Sequence, residues 1–167
     1  MIRTNFQYLE YRKNVACIIL NNKNQILIVQ RNPLNKKSYI VKRDREKYLN
    51  YWQLPQGGID QHESLEAAAH REAVEETGLH NLRLLKISDQ TNTYNFTPSW
   101  KRLFDSEYRF RGQRQNVVYL KSEHDQPVKI DNDEAINYRW VDISHLVNEV
   151  HEERVPLAKI VQEDLTR

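Results

Sequence analysis

The chain contains 167 residues, of which 39% are hydrophobic and 29% are charged, and its net charge is +2. A chain of this length can bury a core without disulfides, its composition excludes intrinsic disorder, and so small a charge does not by itself indicate nucleic-acid binding. The longest apolar run is six residues, too short for a membrane span, and the start lacks a secretory signal. We therefore expect one cytoplasmic domain spanning residues 1–167, without membrane association.

The first third of the chain predicts β-strands followed by a basic loop. Residues 1–13 suggest an opening strand, and two apolar runs at 15–20 and 25–31 flank an Asn-rich turn, which predicts a β-hairpin. Cys17, the one cysteine, excludes an internal disulfide and is predicted to be buried in the first run rather than to act as a nucleophile. Residues 32–50 form a basic excursion, predicted to be a loop or a long hairpin tip. Its basic side chains are Lys36, Lys37, Lys42, Arg43, Arg45 and Lys47.

The rest of the chain mixes strands and helices. Residues 51–55 predict a short strand, stopped by Pro55 and then by two glycines. Residues 64–77 predict a helix, with Ser64 as its N-cap, Glu66 in its first turn and Gly78 directly after its end. Further strands are predicted at 82–87, 117–120 and 138–141, and helical structure at 143–165 with a break near Pro156. The pattern indicates one domain of mixed α and β type.

The predicted helix carries acids on the face that should be buried. Glu72, Glu75 and Glu76 fall within an arc of about 100°, and the earlier residues Leu65, Ala68 and Ala69 point into the same arc. Clustered carboxylates that face inward repel one another, and a hard divalent cation such as Mg²⁺ or Mn²⁺ relieves that repulsion. The alternative is a solvated acidic helix, which is the usual explanation for such a cluster alone. The flanking residues Gly57, Gly58, Glu63, Arg71 and Gly78 favour the metal site.

These residues form a pattern with fixed spacing. Gly57, Glu63, Arg71-Glu72, Glu75-Glu76 and Gly78-Leu79 resemble the Nudix box, and the one departure is Ala73, where the family more often has a larger aliphatic residue. The resemblance implies an α/β fold, the Nudix α/β/α sandwich with a mixed β-sheet. It also implies metal ligands at Glu72, Glu75 and Glu76, joined by the carbonyl of Gly57.

The resemblance extends beyond the box to one branch of the family. Residues 52–59, Tyr11-Arg12, residues 112–115 and Glu134, six residues before Trp140, resemble bacterial RNA pyrophosphohydrolases and the related dinucleoside polyphosphate hydrolases. This resemblance implies that Glu134 is a further metal ligand or positions the attacking water. Its alternative is a surface acid.

The same branch implies residues that bind the substrate. Arg12 and Arg31 match positions of phosphate-binding arginines, and Phe96 is a candidate for stacking on a base. The alternatives are surface charges for the two arginines and an ordinary core position for Phe96.

The resemblance implies metal-dependent hydrolysis of a phosphoanhydride in a nucleotide or RNA 5′-polyphosphate. Arg71, Glu72, Glu75 and Glu134 are the candidate catalytic residues, with Glu75 as one choice of general base. The first choice of substrate is the 5′-triphosphate or 5′-diphosphate end of RNA, followed by diadenosine tetraphosphate and then a free nucleoside triphosphate. An inactive Nudix module that only binds is the non-enzymatic alternative. The basic excursion is either an RNA-backbone contact or a solvated loop, and the sequence defines no oligomeric state.

Overall fold

The structure is a computed structural model that describes residues 9–33, 49–96 and 110–167. The strands are β1 (Glu10–Leu20), β2 (Ile26–Arg31), β3 (Trp52–Gln53), β4 (Gln56–Gly58), β5 (Arg83–Asn95), β6 (Phe110–Lys121) and β7 (Ala135–Val141). The α-helices are α1 (Leu65–Thr77), α2 (Leu146–Glu149) and α3 (Val155–Thr166). The six basic side chains of the excursion at 32–50 lie outside the described residues, so their predicted role stays a prediction.

The strands join in one mixed sheet. Its main order is β3-β2-β1-β6-β5, with β4 paired to β1 and β7 paired to β2. The β1–β6 pair is parallel, whereas the β1–β4, β2–β7 and β5–β6 pairs are antiparallel. Strand β1 therefore lies centrally, with long β6 on one side and short β4 on the other.

Helices pack on both faces of this sheet, as the predicted sandwich requires. Alternate residues of β1 enter different clusters because successive strand side chains point to opposite faces. One cluster joins Val15, Cys17 and Ile19 to Ala68, Ala69 and Ala73 of α1. The other joins Ala16, Ile18 and Leu20 to Leu146 of α2 and to Leu157 and Val161 of α3. Cys17 is fully buried, as predicted, and its thiol contacts the carbonyl of Ala69 at 3.5 Å.

Helix α1 has the predicted ends. The Ser64 side chain accepts a hydrogen bond from the backbone N–H of Ala67 at 3.1 Å. Gly78 ends the helix with φ of 69°, a left-handed conformation that glycine adopts without strain. Both ends are fixed by local signals, which explains why the sequence located them correctly.

Two predictions about the strands were wrong in part. The turn at 21–25 does join β1 and β2, but the two strands pair at Leu20 and Ile26, and their long pairings are with β6 and β7. The glycines at 57 and 58 do not stop a strand. They belong to β4, because their backbone pairs with residues 14 and 15 of β1.

The C-terminal segment is helical, but its break lies elsewhere than predicted. The chain leaves α2 at Val150, and a short 3₁₀ turn, Glu152–Arg154, leads into α3. Pro156 lies in the first turn of α3, where a missing backbone N–H costs no helical hydrogen bond. No helix within the described ranges is both long and apolar enough to cross a membrane.

Candidate active site

The last two turns of α1 lie against the backbone of β4. A Cβ atom at Gly57 would overlap the carboxylate of Glu72, so the glycine lets that carboxylate contact the strand. One turn further on, Glu76 Oε1 accepts a hydrogen bond from the backbone N–H of Gln56 at 3.2 Å. Because β4 is itself paired to the central strand β1, two carboxylates of one helix face are held at a fixed place on the sheet.

Arg71 connects these carboxylates to the loop before the helix. Its Nε and Nη2 donate to the two oxygens of Glu63, each at 2.9 Å, and Nη2 also donates to the carbonyl of Gly58 at 2.8 Å. Its Nη1 donates to Glu72 at 2.6 Å and to Glu75 at 3.2 Å. The hydrogen bonds from Arg71 lower the pKa of Glu63 to about 2. The planar guanidinium of Arg71 thus pairs with Glu63 and fixes Glu72 as well.

Two of the acids are buried in this arrangement. Glu72 is 8% exposed and Glu76 is 6% exposed. Burial raises the pKa of Glu72, although its hydrogen bond from Arg71 acts in the opposite direction. Burial also raises the pKa of Glu76 well above its usual value, and the charges of Glu134 and Glu72 add to that effect. Negative charge on this pair is therefore unfavourable in the absence of a cation, and a cation bound beside the two carboxyls would stabilise it.

Glu75 does not face inward, contrary to the prediction. Its side chain is 57% exposed, and its one described partner is Arg71. Glu75 lies about 100° around the helix from Glu76, so it occupies the edge of the arc when Glu72 and Glu76 point at the sheet. It borders the site from the solvent side.

Glu134 lies in the turn that precedes β7 and is exposed. Its backbone carbonyl accepts a hydrogen bond from Asn32 N–H at 2.8 Å, which ties the turn to the end of β2. Its charge raises the pKa of both Glu72 and Glu76. The side chain is thus at the surface, as the alternative held, yet near enough to act on the two buried carboxylates.

The two predicted phosphate-binding arginines come from different strands, Arg12 from β1 and Arg31 from β2. The guanidinium of Arg12 fills the space beside Gly58 where a Cβ would lie. Arg31, at the end of β2, is partly buried, and burial lowers its pKa while the charge of Glu76 opposes that effect. Both positions are compatible with contacts to an anion bound at the carboxylates.

The structure places Phe96 beside Tyr94. It follows the end of β5, where it is partly buried and packs edge to face on Tyr94 with ring centroids 6.4 Å apart. Its role in stacking on a base stays a prediction.

A buried amide network beneath the site was not predicted. Gln115, which has no exposed surface, accepts from Asn92 Nδ2 at 2.7 Å and donates to Asn14 Oδ1 at 3.1 Å and to Gln56 Oε1. These four residues come from β6, β5, β1 and β4, so the network fixes β4 relative to the three longer strands. The sequence placed Gln115 in a branch motif but contained no signal for its partners.

A second cluster was also missed. Arg154 is 6% exposed and lies between the rings of Tyr51 and Tyr94, with its guanidinium carbon 5.5 and 5.4 Å from their centroids. It donates one hydrogen bond to Tyr94 Oη at 3.1 Å, and Tyr94 donates to Gln113 at 2.6 Å. In the sequence, Arg154 follows Glu152 and Glu153, and such a run of charged residues is typical of a solvated surface segment.

The donor set fits a hard divalent cation. Glu72 and Glu76 offer carboxylate oxygens beside the backbone of Gly57, and Mg²⁺ and Mn²⁺ prefer oxygen ligands of this kind. No three His, Cys, Asp or Glu side chains of the described part are already gathered around one point. The reason is that Arg71 holds Glu72 and Glu75 while Gln56 N–H holds Glu76.

Comparison with known proteins agrees with this site. Residues 10–163 match the NUDIX domain family. The RNA pyrophosphohydrolase of Zymomonas mobilis is 30% identical over 162 residues, which cover 93% of this chain and 95% of that protein. The RNA pyrophosphohydrolase of Pelagibacter ubique is 28% identical over 163 residues, which cover 93% and 91%.

The fold comparison points to the same family. The structure of the E. coli dihydroneopterin triphosphate pyrophosphohydrolase superposes with a TM-score of 0.66 at 17% identity, covering 95% of this chain and 99% of that one. Likeness at that identity concerns the fold alone. Together with the match over residues 10–163, the glycine-backed carboxylates and the Arg71 fork, it identifies the chain as a member of the Nudix hydrolase family.

Proposed function

We propose that the protein is a cytoplasmic, single-domain pyrophosphohydrolase that converts the 5′-triphosphate or 5′-diphosphate end of RNA to a 5′-monophosphate. The observation that carries hydrolysis is the buried pair Glu72 and Glu76 on the backbone of β4. The choice of RNA rests on relatives that are named RNA pyrophosphohydrolases and align over most of both chains.

The acids supply the site for Mg²⁺ or Mn²⁺. Glu72, Glu76 and the carbonyl of Gly57 would hold the cation, with Glu75 and Glu134 as further oxygen donors. When bound, the cation supplies charge neutralisation of phosphate oxygens and an activated water. The fork of Arg71 keeps Glu72 aimed at β4 before any cation arrives, so the ligand needs little rearrangement.

The remaining residues act on the substrate. Arg12 and Arg31 would bind phosphate oxygens as charge-assisted donors. Glu75, exposed at the edge of the site, has room to accept a proton from water, and Glu134 is the other candidate for that step. Glu75→Gln and Glu134→Gln distinguish them, because the variant that has lost the general base shows the larger fall in kcat when Mn²⁺ is saturating.

A product assay over a substrate panel tests the proposal. The panel contains 5′-triphosphorylated RNA, diadenosine tetraphosphate and free nucleoside triphosphates, each with Mg²⁺, with Mn²⁺ and with EDTA. We expect the highest kcat/KM for triphosphorylated RNA, and no turnover in EDTA. A higher kcat/KM for diadenosine tetraphosphate or for a free nucleoside triphosphate would overturn the assignment to RNA. It would still support hydrolysis of a phosphoanhydride.

The inactive-module alternative has its own signature. Calorimetric titration with Mn²⁺ should give binding in either case, whereas an inactive module would bind the cation or RNA and release no product from any member of the panel.

A further inference from the structure

Strand β4 has one side chain by which it can be held. Its residues are Gln56, Gly57 and Gly58, and the two glycines contribute no side chain and a backbone that adopts many conformations. The backbone of β4 pairs with residues 14–16 of β1, and the N–H of Gln56 also donates to Glu76 Oε1 at 3.2 Å. Gln56 therefore links the position of the strand to that of a buried carboxylate of the active site.

The side chain of Gln56 is held from the face of the sheet opposite α1. Gln115 shares its strand face with Val117 and Tyr119, which belong to the hydrophobic cluster under α2 and α3, because alternate strand residues point to the same face. The amide of Gln115 donates from Nε2 to Gln56 Oε1 and to Asn14 Oδ1, the latter at 3.1 Å. Helix α1 thus contacts β4 from one face of the sheet, and Gln115 holds it from the other.

Gln115 is fixed by partners on three strands. It has no exposed surface, both N–H groups of its amide are donated, and its Oε1 accepts from Asn92 Nδ2 at 2.7 Å. A buried amide bound in this way cannot turn without leaving polar groups unpaired, which is unfavourable. The direction of its Nε2, and with it the position of Gln56, is therefore set by β1 and β5 rather than by β4 itself.

From these contacts we infer that Gln115 is a positioning residue of the active site, which holds the Gln56 side chain so that the Gln56 backbone N–H stays directed at Glu76. The inference rests on the proposed function in that Glu76 is a ligand of Mg²⁺ or Mn²⁺. Gln115 acts on this carboxylate through two hydrogen bonds, its own to Gln56 and that of Gln56 to Glu76. Loss of a residue that orients a metal ligand typically weakens metal binding by about tenfold or more.

The alternative is that Gln115 contributes only to the stability of the fold. Tyr119 provides a matched control, because it lies on the same strand and the same face and is also fully buried, but it donates to Asp164 of α3 at 2.8 Å. Tyr119→Phe removes one buried hydrogen bond of β6 and no described contact of β4. A loss of stability alone should therefore appear in both Gln115→Met and Tyr119→Phe.

Hydrogen exchange of single amides in EDTA tests the link without metal or turnover. The N–H of Ser122, which donates to the carbonyl of Leu20 at 2.8 Å, is the reference for opening of the β1–β6 pair. We expect the Gln56 N–H to exchange about tenfold faster, relative to Ser122, in Gln115→Met than in the wild type and in Tyr119→Phe. Equal relative exchange in the three proteins would overturn the inference.

Calorimetric titration with Mn²⁺ tests whether the position of Gln56 matters for the site. The proteins are the wild type, Gln115→Met, Gln56→Met, the double variant and Tyr119→Phe, each checked by circular dichroism and thermal melting. We expect each single methionine variant to bind Mn²⁺ about tenfold more weakly than the wild type. The double variant should bind no more weakly than either single one, because both substitutions remove the same hydrogen bond. Tyr119→Phe should bind as the wild type does.

The outcomes separate this inference from the proposed function. Wild-type affinity for Mn²⁺ in Gln115→Met, or additive losses in the double variant, would overturn the inference and leave the proposed function intact. If Gln115→Met fails to fold, Gln56→Met decides by the same criteria, since Gln56 is only partly buried. A wild type that binds no Mn²⁺, or hydrolyses no substrate, would refute the proposed function, and exchange of the Gln56 N–H would then decide the link by itself.

With active enzyme a second readout is available. Gln115→Met should need about tenfold more Mn²⁺ for half-maximal turnover, and its kcat at saturating Mn²⁺ should stay within a factor of about three of the wild-type value. A role in stability alone would not change the Mn²⁺ requirement of the folded enzyme. A fall in kcat that added Mn²⁺ does not restore would contradict positioning through Glu76.

Discussion

Arg71 and Arg154 are both enclosed by the fold, and their surroundings are opposite. Arg71 donates to Glu63, Glu72, Glu75 and the carbonyl of Gly58 at distances between 2.6 and 3.2 Å. Arg154 has two aromatic rings and one hydroxyl. The same type of side chain is therefore surrounded by three carboxylates in one region and by aromatic rings and a hydroxyl in the other.

The difference separates an arginine that organises the site through carboxylates from one that is held by aromatic rings. A guanidinium surrounded by acids fixes their directions and has few donors left for a substrate. Arg154 uses one described hydrogen bond and two ring contacts instead. The same comparison applies to carboxylates. Glu76 accepts one hydrogen bond from a backbone N–H and is buried beside other acids, so its charge has few compensating partners among the described residues. Substitution of each charged residue tests whether its partners determine its role.

The largest effect is expected at Glu76, which is buried and accepts one described hydrogen bond. Glu76→Gln should lower kcat by about a hundredfold or more, which corresponds to about 2.7 kcal/mol of barrier. The fold should stay intact, because removing a buried like charge does not weaken packing. Product formation and circular dichroism would measure the two properties, with the exposed Glu66→Gln on the same helix as control. Activity within about tenfold of wild type would place Glu76 among the structural acids.

A smaller effect on stability is expected at Arg71. Arg71→Met leaves Glu63, Glu72 and Glu75 without their shared donor, and we expect the free energy of unfolding to fall by about 2 kcal/mol, less than for a fully buried ion pair because Arg71 is 29% exposed at its side chain. Arg154→Met should lower the free energy of unfolding by less, about 1 kcal/mol, since it removes one described hydrogen bond and no described ion pair. Urea unfolding of both variants measures the contrast. An equal loss of unfolding free energy in the two variants would contradict the difference between Arg71 and Arg154.

The features of the fold and the site that the sequence predicts are those that depend on residues close together in the chain. The ends of α1 follow from Ser64 and Gly78, which act within the helix itself, and the Nudix box places Glu72 and Glu76 because four residues make one turn. The burial of Glu76 and the exposure of Glu75 could not be separated from the sequence. That outcome depends on how the helix is rotated against β4, which contacts distant in sequence decide.

The features that were missed depend on long-range contacts. Two adjacent glycines predict a turn, and they become a strand only because β1 lies beside them. Arg154 finds the hydroxyl of Tyr94 across 60 residues of sequence. A lone arginine after two glutamates carries no sign that its partners will be rings rather than acids.

Two glycines offer a further test with a moderate effect. Gly57→Ala places a Cβ on the carboxylate of Glu72, so we expect kcat/KM and the affinity for Mn²⁺ to fall about tenfold. Gly78→Ala strains a left-handed backbone and should destabilise the fold by about 1 kcal/mol without changing kcat. Thermal melting and a Mn²⁺ titration on both variants separate them. A Gly57→Ala protein with wild-type affinity for Mn²⁺ would show that Glu72 can bind the cation even when a Cβ is present at position 57.

The smallest effect concerns a carboxylate with many donors and no predicted role in catalysis. Asp164 of α3 accepts from the hydroxyls of Ser88 at 2.5 Å and Tyr119 at 2.8 Å and from Gln90 Nε2 at 3.3 Å. Burial raises the pKa of Asp164, but these hydrogen bonds outweigh it, and the pKa lies below its usual value.

Because the pKa is lower in the folded than in the unfolded state, Asp164 stabilises the fold above the unfolded value and loses that contribution as the pH falls through the folded one. Asp164→Asn should therefore lower the free energy of unfolding by about 1 kcal/mol at pH 7. The difference from wild type should begin to shrink as the pH falls below the unfolded pKa of about 4 and should disappear below the folded pKa. Urea unfolding across that range measures it, with the exposed Asp89→Asn on β5 as control and kcat unchanged in both. A loss of activity in Asp164→Asn at unchanged stability would mean that a carboxylate with all its hydrogen bonds made also takes part in catalysis. The partners of a carboxylate would then not determine its role.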